Sequence, residues 1–502
     1  MTEPANEPTG AGAKKAPDDL GRHAIPGVIT TVLSRGGRAI IGVGTLAVLS
    51  RYLTPGEFGV FALVLFFVSF AQYVGEAGIR AALIMRQNTT QLEEDSAFWF
   101  SVAIGIAMTA LTILCAEPIA RLFNEPDLPG PLRTAAWLFL VYSVRSVAYV
   151  HLERQFKFHL LSFAEIVGAL CGGAIAIVLA LQGAGAMALV AQFLLLGFVN
   201  TALIVWASDY RPRLQYSFSA VRPLLGIGAS VTTAAMVDFL ASTIERPIVG
   251  VKLSGAELGT LSVAQQAASI PLRLIATNIA RVSFPILASI QDDMKRLAAA
   301  HISALHAGMV IMGAVCFGLA AVAHPMVRVL LGPQWAQAGD VFAVIAITAG
   351  LGTLIELNQA VFSAKKKVNF LLYWSLYSLL ANALIAWIVA PFGLMPVVLG
   401  RLGFVLVSTP ISCFFAAKLL ECRTIDILGG VVRPLLASML MGAAVYGVDQ
   451  MWLADLASPV LRLAALIPVG VLVFAIAIWI VDGAKVRDLL ARLRNMRKKR
   501  AA

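Results

Sequence analysis

At 502 residues the chain is long enough for about three soluble domains, yet its composition excludes them. Apolar residues make up 59% and charged residues only 13%, against about 45–50% and about 25% in soluble globular chains. With no long polar stretch, a soluble enzyme with a membrane tail, a secreted disulfide scaffold and a nucleic-acid-binding domain are all excluded. The formal net charge of +11 therefore reads as orientation and contact with anionic lipid.

Residues 1–26 are polar and contain no apolar run followed by a small-residue cleavage site. They read as a cytoplasmic N-terminus without a cleaved signal peptide. A bilayer span needs about 20 mostly apolar residues. Fourteen such segments follow, near 28–50, 58–79, 96–116, 134–151, 161–182, 185–207, 224–244, 258–281, 302–323, 340–362, 370–390, 394–417, 432–449 and 460–482. The expectation is an all-α polytopic membrane protein. Its parts are a six-helix half over 27–207, a second over 208–423, two further helices over 424–482 and a tail over 483–502. In the tail, Val486, Leu489, Leu490, Leu493 and Met496 fall at helical spacing among Lys and Arg, the pattern of a basic amphipathic helix on a membrane surface. Lysine and arginine gather more than threefold on alternate loops and the two ends, which places both termini in the cytoplasm. The cysteines Cys115, Cys171, Cys316, Cys413 and Cys422 are scattered and read as small apolar groups, with no metal site.

Two stretches repeat at an offset of 200. Leu53-Thr54-Pro55-Gly56-Glu57-Phe58-Gly59 is echoed by Leu253-Ser254-Gly255-Ala256-Glu257-Leu258-Gly259. Each holds a capping box, Thr54 with Glu57 and Ser254 with Glu257, that starts a helix. A second echo joins the basic elbow Arg154-Gln155-Phe156-Lys157-Phe158 to Lys365-Lys366-Lys367-Val368-Asn369-Phe370. Helices one and seven point the same way, so the halves form a parallel repeat, a transporter signature with the substrate site between the halves.

The run from Arg51 to Phe61, the motif Leu330-Leu331-Gly332-Pro333-Gln334-Trp335 and the segment Glu245-Arg246-Pro247-Ile248-Val249-Gly250 together resemble the Wzx-type oligosaccharide flippases. These form the lipopolysaccharide and exopolysaccharide exporter branch of the multidrug/oligosaccharidyl-lipid/polysaccharide exporter superfamily. Glu245 departs from the family pattern, in which an Asp-Arg pair is more usual. The resemblance implies a bacterial inner-membrane protein with a central cavity and, as substrate, an undecaprenyl-pyrophosphate-linked oligosaccharide repeat unit. It implies transfer from the cytoplasmic to the periplasmic leaflet by alternating access through a cationic cavity, for O-antigen or exopolysaccharide synthesis. It further implies a coupling ion or membrane potential, and a polysaccharide polymerase and a chain-length regulator as partners. No other cofactor is expected.

Charge inside the spans points the same way. An ionisable group at mid-bilayer costs roughly 2.5–3.5 kcal/mol on insertion scales, so it faces a cavity or a partner. Arg35 and Arg38 share a face of helix one; Arg145, Arg273 and Arg401 lie within helices four, eight and twelve. These five are the candidates for binding pyrophosphate, whose oxygens suit the guanidinium fork. Arg80 and Arg281 are candidates for the cytoplasmic entrance. Asp238, Glu76, Glu165 and Glu356 are candidates for coupling or gating. Because Arg38 and Asp238 stand 200 apart, one reading is an ion pair or gate between the halves, and the other is two unrelated buried charges with partners of their own. A drug or cation antiporter would need acids in its cavity, whereas arginines outnumber acids at mid-depth here. A peptidoglycan-precursor flippase shares the same charge logic. A membrane glycosyltransferase or polymerase would need paired acids on a large loop, so the chain reads as a non-enzyme.

Overall fold

A computed structural model describes residues 19–75, 77–86, 89–269, 293–365, 367–453 and 458–501. Every regular element among them is helical, the form that satisfies backbone polar groups where no water is available. The N-terminal half comprises α1 (Asp19–Tyr52), α2 (Pro55–Gly75), α3 (Ala77–Met85), α4 (Gln91–Phe123), α5 (Pro129–Arg154), α6 (Phe158–Leu181) and α7 (Ala186–Ala207). The C-terminal half comprises α8 (Phe218–Thr243), α9 (Glu245–Lys252), α10 (255–269), α11 (Met294–Ala321), α12 (Ala323–Leu330), α13 (Ala338–Ala364), α14 (Val368–Val389) and α15 (Leu394–Leu419). Two more helices follow, α16 (Thr424–Val448) and α17 (Pro459–Ala501).

Eleven helices among the described residues are long and apolar enough to cross a membrane, so the chain is a multi-pass membrane protein. Of the other three expected segments, 28–50 and 224–244 coincide with helical backbone over 19–52 and 218–243, and the first part of 258–281 with helix over 255–269, its remainder lying outside the described residues. Backbone geometry breaks at Asp482, with φ −140° and ψ 30°. The break separates the last span from the helical tail. Asp482 is buried, with His306 Nε2 at 2.9 Å and Arg433 Nη1 at 3.5 Å.

The repeat is real in three dimensions. Thr54 and Ser254 each accept a hydrogen bond from the amide of their glutamate, at 3.4 and 3.3 Å, and each glutamate accepts one from the cap amide, at 2.7 and 3.1 Å. The two turns then meet each other. A Cβ on Gly59 would overlap the Gly255 carbonyl, and a Cβ on Gly259 would overlap the Pro55 carbonyl. Positions 55 and 59 thus exchange contacts with 255 and 259, the reciprocal pairing that a two-fold axis generates. Only glycine allows backbones this close.

A second lock joins the halves at the same end. Gly332, at φ 102°, takes a conformation that side chains disfavour and turns the chain so that Trp335 enters the core. Trp335 Nε1 donates to the Ser50 carbonyl at 2.8 Å, and its ring meets Phe58 edge-on at 5.3 Å. Gln334 donates to the carbonyls of Ser50 and Leu53. One apolar core, including Leu49, Leu63, Val249, Leu261 and Phe342, runs through both halves beneath this seal.

At the opposite end lie the two elbows and the linker between the halves. Buried Asp95 accepts from Tyr210 Oη at 2.9 Å and from the Arg213 amide at 3.2 Å. Trp99 Nε1 donates to the Arg213 carbonyl at 2.8 Å. These bonds fix the linker to the start of α4.

Candidate functional site

A cavity of about 610 Å³ lies directly under the seal, between the halves. The N-terminal half contributes Phe58, Phe61, Ala62 and Leu65 from α2. The C-terminal half contributes Ser242, Glu245 and Arg246 around the α8–α9 break, with Gln265 and Gln266 from α10, Thr348 and Glu356 from α13 and Arg401 from α15. The sequence makes the break locally. Pro247 lacks the amide that would continue the ladder from α8 and fits only the first turn of a new helix. Glu245 and Arg246 are thereby turned into the cavity as the first residues of α9, where a carboxylate is favoured by the helix dipole.

These groups form one network. Arg401 Nη1 lies 2.9 Å from Glu245 Oε2. Gln265 Nε2 donates to Glu245 Oε1. Arg246 Nε donates to Gln265 Oε1 at 3.0 Å. Glu245 is only 3% exposed, so its charge needs both partners. The described lining balances Arg246 and Arg401 against Glu245 and Glu356. The expected cationic excess is not carried by these residues.

Of the pyrophosphate candidates, Arg401 lines the cavity. Arg38 and Arg145 do not. Arg38 Nη1 pairs with Glu165 Oε2 at 3.1 Å. Arg145 Nη1 donates to Asn200 Oδ1 at 2.5 Å and stands over the Tyr142 ring at 4.2 Å. The side chain of Arg35 and residues Arg273, Arg281 and Glu76 lie outside the described part of the structure. The entrance candidate Arg80 pairs with Glu153 at 3.0 Å and stands 4.1 Å from the Tyr149 ring, which Arg145 also approaches at 5.9 Å. Of the gating candidates, Glu356 lines the cavity, Glu165 holds Arg38, and Asp238 Oδ1 accepts from Ser375 Oγ at 3.4 Å.

The ion-pair reading of Arg38 and Asp238 is therefore corrected in favour of separate partners. Helix α1 packs on α6, and α8 packs on α14. Each residue faces the equivalent helix of its own half: Glu165 for Arg38, Ser375 for Asp238. Equivalence under the repeat gives matching positions, not mutual contact. Sequence reasoning named Arg246 only as part of the Glu245–Gly250 motif and missed Gln265. The one available signal was a glutamine pair, Gln265-Gln266, inside an apolar helix.

Comparison with known proteins places this architecture. The family described as polysaccharide biosynthesis protein matches residues 48–340. The chain is 28% identical over 480 residues to the succinoglycan biosynthesis transport protein ExoT of Rhizobium meliloti (strain 1021), covering 94% of this chain and 96% of that protein. It is 25% identical over 334 residues to the lipopolysaccharide biosynthesis protein WzxC of Escherichia coli (strain K12), covering 66% and 68%. Among solved structures, the lipid II flippase MurJ in an inward closed conformation shares the fold with a TM-score of 0.73 at 16% identity, over 93% of this chain and all of that one.

Proposed function

The chain belongs to the polysaccharide biosynthesis protein family, and we propose that this member is a flippase for lipid-linked oligosaccharides. Its substrate is an undecaprenyl-pyrophosphate-linked repeat unit, moved from the cytoplasmic to the periplasmic leaflet of a bacterial inner membrane for surface polysaccharide synthesis. Both termini are cytoplasmic, so the glycine seal closes the periplasmic end. The observation that carries the reading is the cavity under that seal, with Arg246 and Arg401 facing a space between two repeated halves.

The chemistry follows from the network. A pyrophosphate presents oxygens that match a guanidinium fork. Glu245 pairs with Arg401 across the cavity wall. An arriving head group exchanges with that carboxylate, so the arginine is held in place before substrate binds and released when substrate leaves. Several moderate contacts suit carriage better than one tight contact. A coupling ion, a polymerase and a chain-length regulator belong to this reading as family expectations. The chain itself carries the lipid and makes or breaks no glycosidic bond.

The test is transfer of a fluorescent undecaprenyl-pyrophosphate oligosaccharide between leaflets of sealed liposomes. Native protein is expected to transfer it, and Arg246→Ala and Arg401→Ala to slow transfer at least tenfold while folding is retained. Transfer untouched by both changes would discard the site. Efflux of an organic cation without lipid transfer would favour the antiporter, and transfer confined to a peptidoglycan precursor would favour that flippase.

A further inference from the structure

The elbow that repeats between the halves is chemically unequal, and its second copy opens on a second cavity. In each copy a lysine, Lys157 or Lys367, precedes the next helix and donates its amide to a carbonyl five residues back, Leu152 or Phe362, at 3.0 and 2.9 Å. In the N-terminal copy the charge is answered. Lys157 Nζ lies 3.4 Å from Asp209, and Arg154 lies 3.3 Å from Glu94. In the C-terminal copy Lys367 has no ion pair among the described residues. Neither has Lys418 in the last turn of α15, nor the nearby exposed Glu421.

Lys367 and Lys418 instead border a cavity of about 550 Å³. Its floor is aromatic. Phe362 and Phe370 stack at 3.9 Å with an interplanar angle of 15°, and Phe415 meets Phe370 at 5.3 Å. The N-terminal counterparts of Phe362 and Phe370 are Leu152 and Leu160, which pack together with Leu161, Ile204, Tyr149 and Phe158. The second copy thus lacks the ion pairs of the first among the described residues, and a stacked aromatic pair stands where the first copy has leucines.

Unanswered cations at the membrane edge attract lipid phosphates, and basic pockets between spanning helices select anionic head groups. Lysines supply the point charges, while an aromatic floor receives the chain region just below the head group. We propose that this cavity binds the phosphate of an anionic phospholipid, held between Lys367 and Lys418, with the start of an acyl chain on the phenylalanine floor. In the proposed orientation it belongs to the cytoplasmic leaflet. The site is separate from the central cavity, and its occupancy does not depend on what the protein carries.

The experiment uses the full chain purified in detergent, with bound lipid counted by native mass spectrometry. The probes are phosphatidylglycerol, phosphatidylcholine, undecaprenyl pyrophosphate and inorganic phosphate. Preferential retention of phosphatidylglycerol is expected. The double variant Lys367→Gln/Lys418→Gln should weaken it at least tenfold, Lys418→Glu should do the same, and Lys157→Gln should leave it unchanged. An unaltered melting temperature in phosphatidylcholine shows that the variants are folded. Equal phosphatidylglycerol retention by native protein and double variant would overturn the proposal. Preference for undecaprenyl pyrophosphate at these lysines would reassign the site to the substrate path. Displacement of the lipid by equimolar inorganic phosphate would make it a site for the free ion.

Discussion

Gly255 owes its missing side chain to Glu125, whose Oε1 occupies the space a Cβ would need. Glu125 lies in the turn between α4 and α5, so an acid sits on the seal between the halves. Burial pushes its carboxyl above the ordinary carboxylate range, Asp127 adds to the rise, and a hydrogen bond from the Gly255 backbone opposes it. A raised value in the folded state means that the protonated form favours folding. This contribution is complete below about pH 4 and is lost as pH rises through the raised value. Melting temperature measured across that range should therefore fall for the native protein, and Glu125→Gln should flatten the dependence. An unchanged slope in the variant would remove Glu125 from the seal's energetics. The capping boxes that shape both turns were legible in the sequence, because Thr54–Glu57 and Ser254–Glu257 carry their partners at fixed spacing. Glu125 was not, because its partner is 130 positions away and is a backbone group.

Helix positions along the chain were legible because apolar length alone dictates a span. Contacts between helices were less so. The offset of 200 relates Arg38 to Asp238, yet each half packs its first helix on its own fifth span, and the pair never meets. The break at Pro247 was visible as a motif, but the network it creates needs Gln265 from α10. The elbow after α5 illustrates how a basic loop becomes structure. Arg154 donates to the carbonyls of Leu83 and Arg86, to Thr89 Oγ1 at 2.8 Å and to buried Glu94. His151 Nε2 lies 2.7 Å from the same carboxylate. In Arg154→Ala, Glu94 loses a charged partner and two carbonyls lose their donor, a loss of about 3 kcal/mol. Chemical unfolding in detergent should show it, and Arg154→Lys should recover only part, because an ammonium lacks the fork. Full stability in Arg154→Ala would make the elbow a solvated loop.

Across the molecule, the halves α1–α7 and α8–α15 meet at one end through the reciprocal glycine contact and the Trp335 lock, with the cavity just beneath. The opposite end holds the linker to α4 and bears both basic elbows. Under the proposed function this arrangement gives alternating access a concrete meaning: the seal between positions 55–59 and 255–259 parts for a head group to leave. Sequence showed the repeat and hence the two halves. It did not show that the repeated turns touch, since an equal offset is compatible with any distance between equivalent points.

Leaflet transfer in liposomes by a protein whose seal is clamped tests this most directly. Gly56 has open space for a side chain and Ala256 is exposed; the two are equivalent under the repeat and flank the contact. With the native cysteines replaced, cysteines at both positions would be joined by a short bis-methanethiosulfonate, each thiolate displacing methanesulfinate to form a disulfide that a reductant cleaves. The account predicts that transfer of the lipid-linked oligosaccharide stops on cross-linking and returns on reduction. Transfer at the native rate with the clamp in place would contradict it.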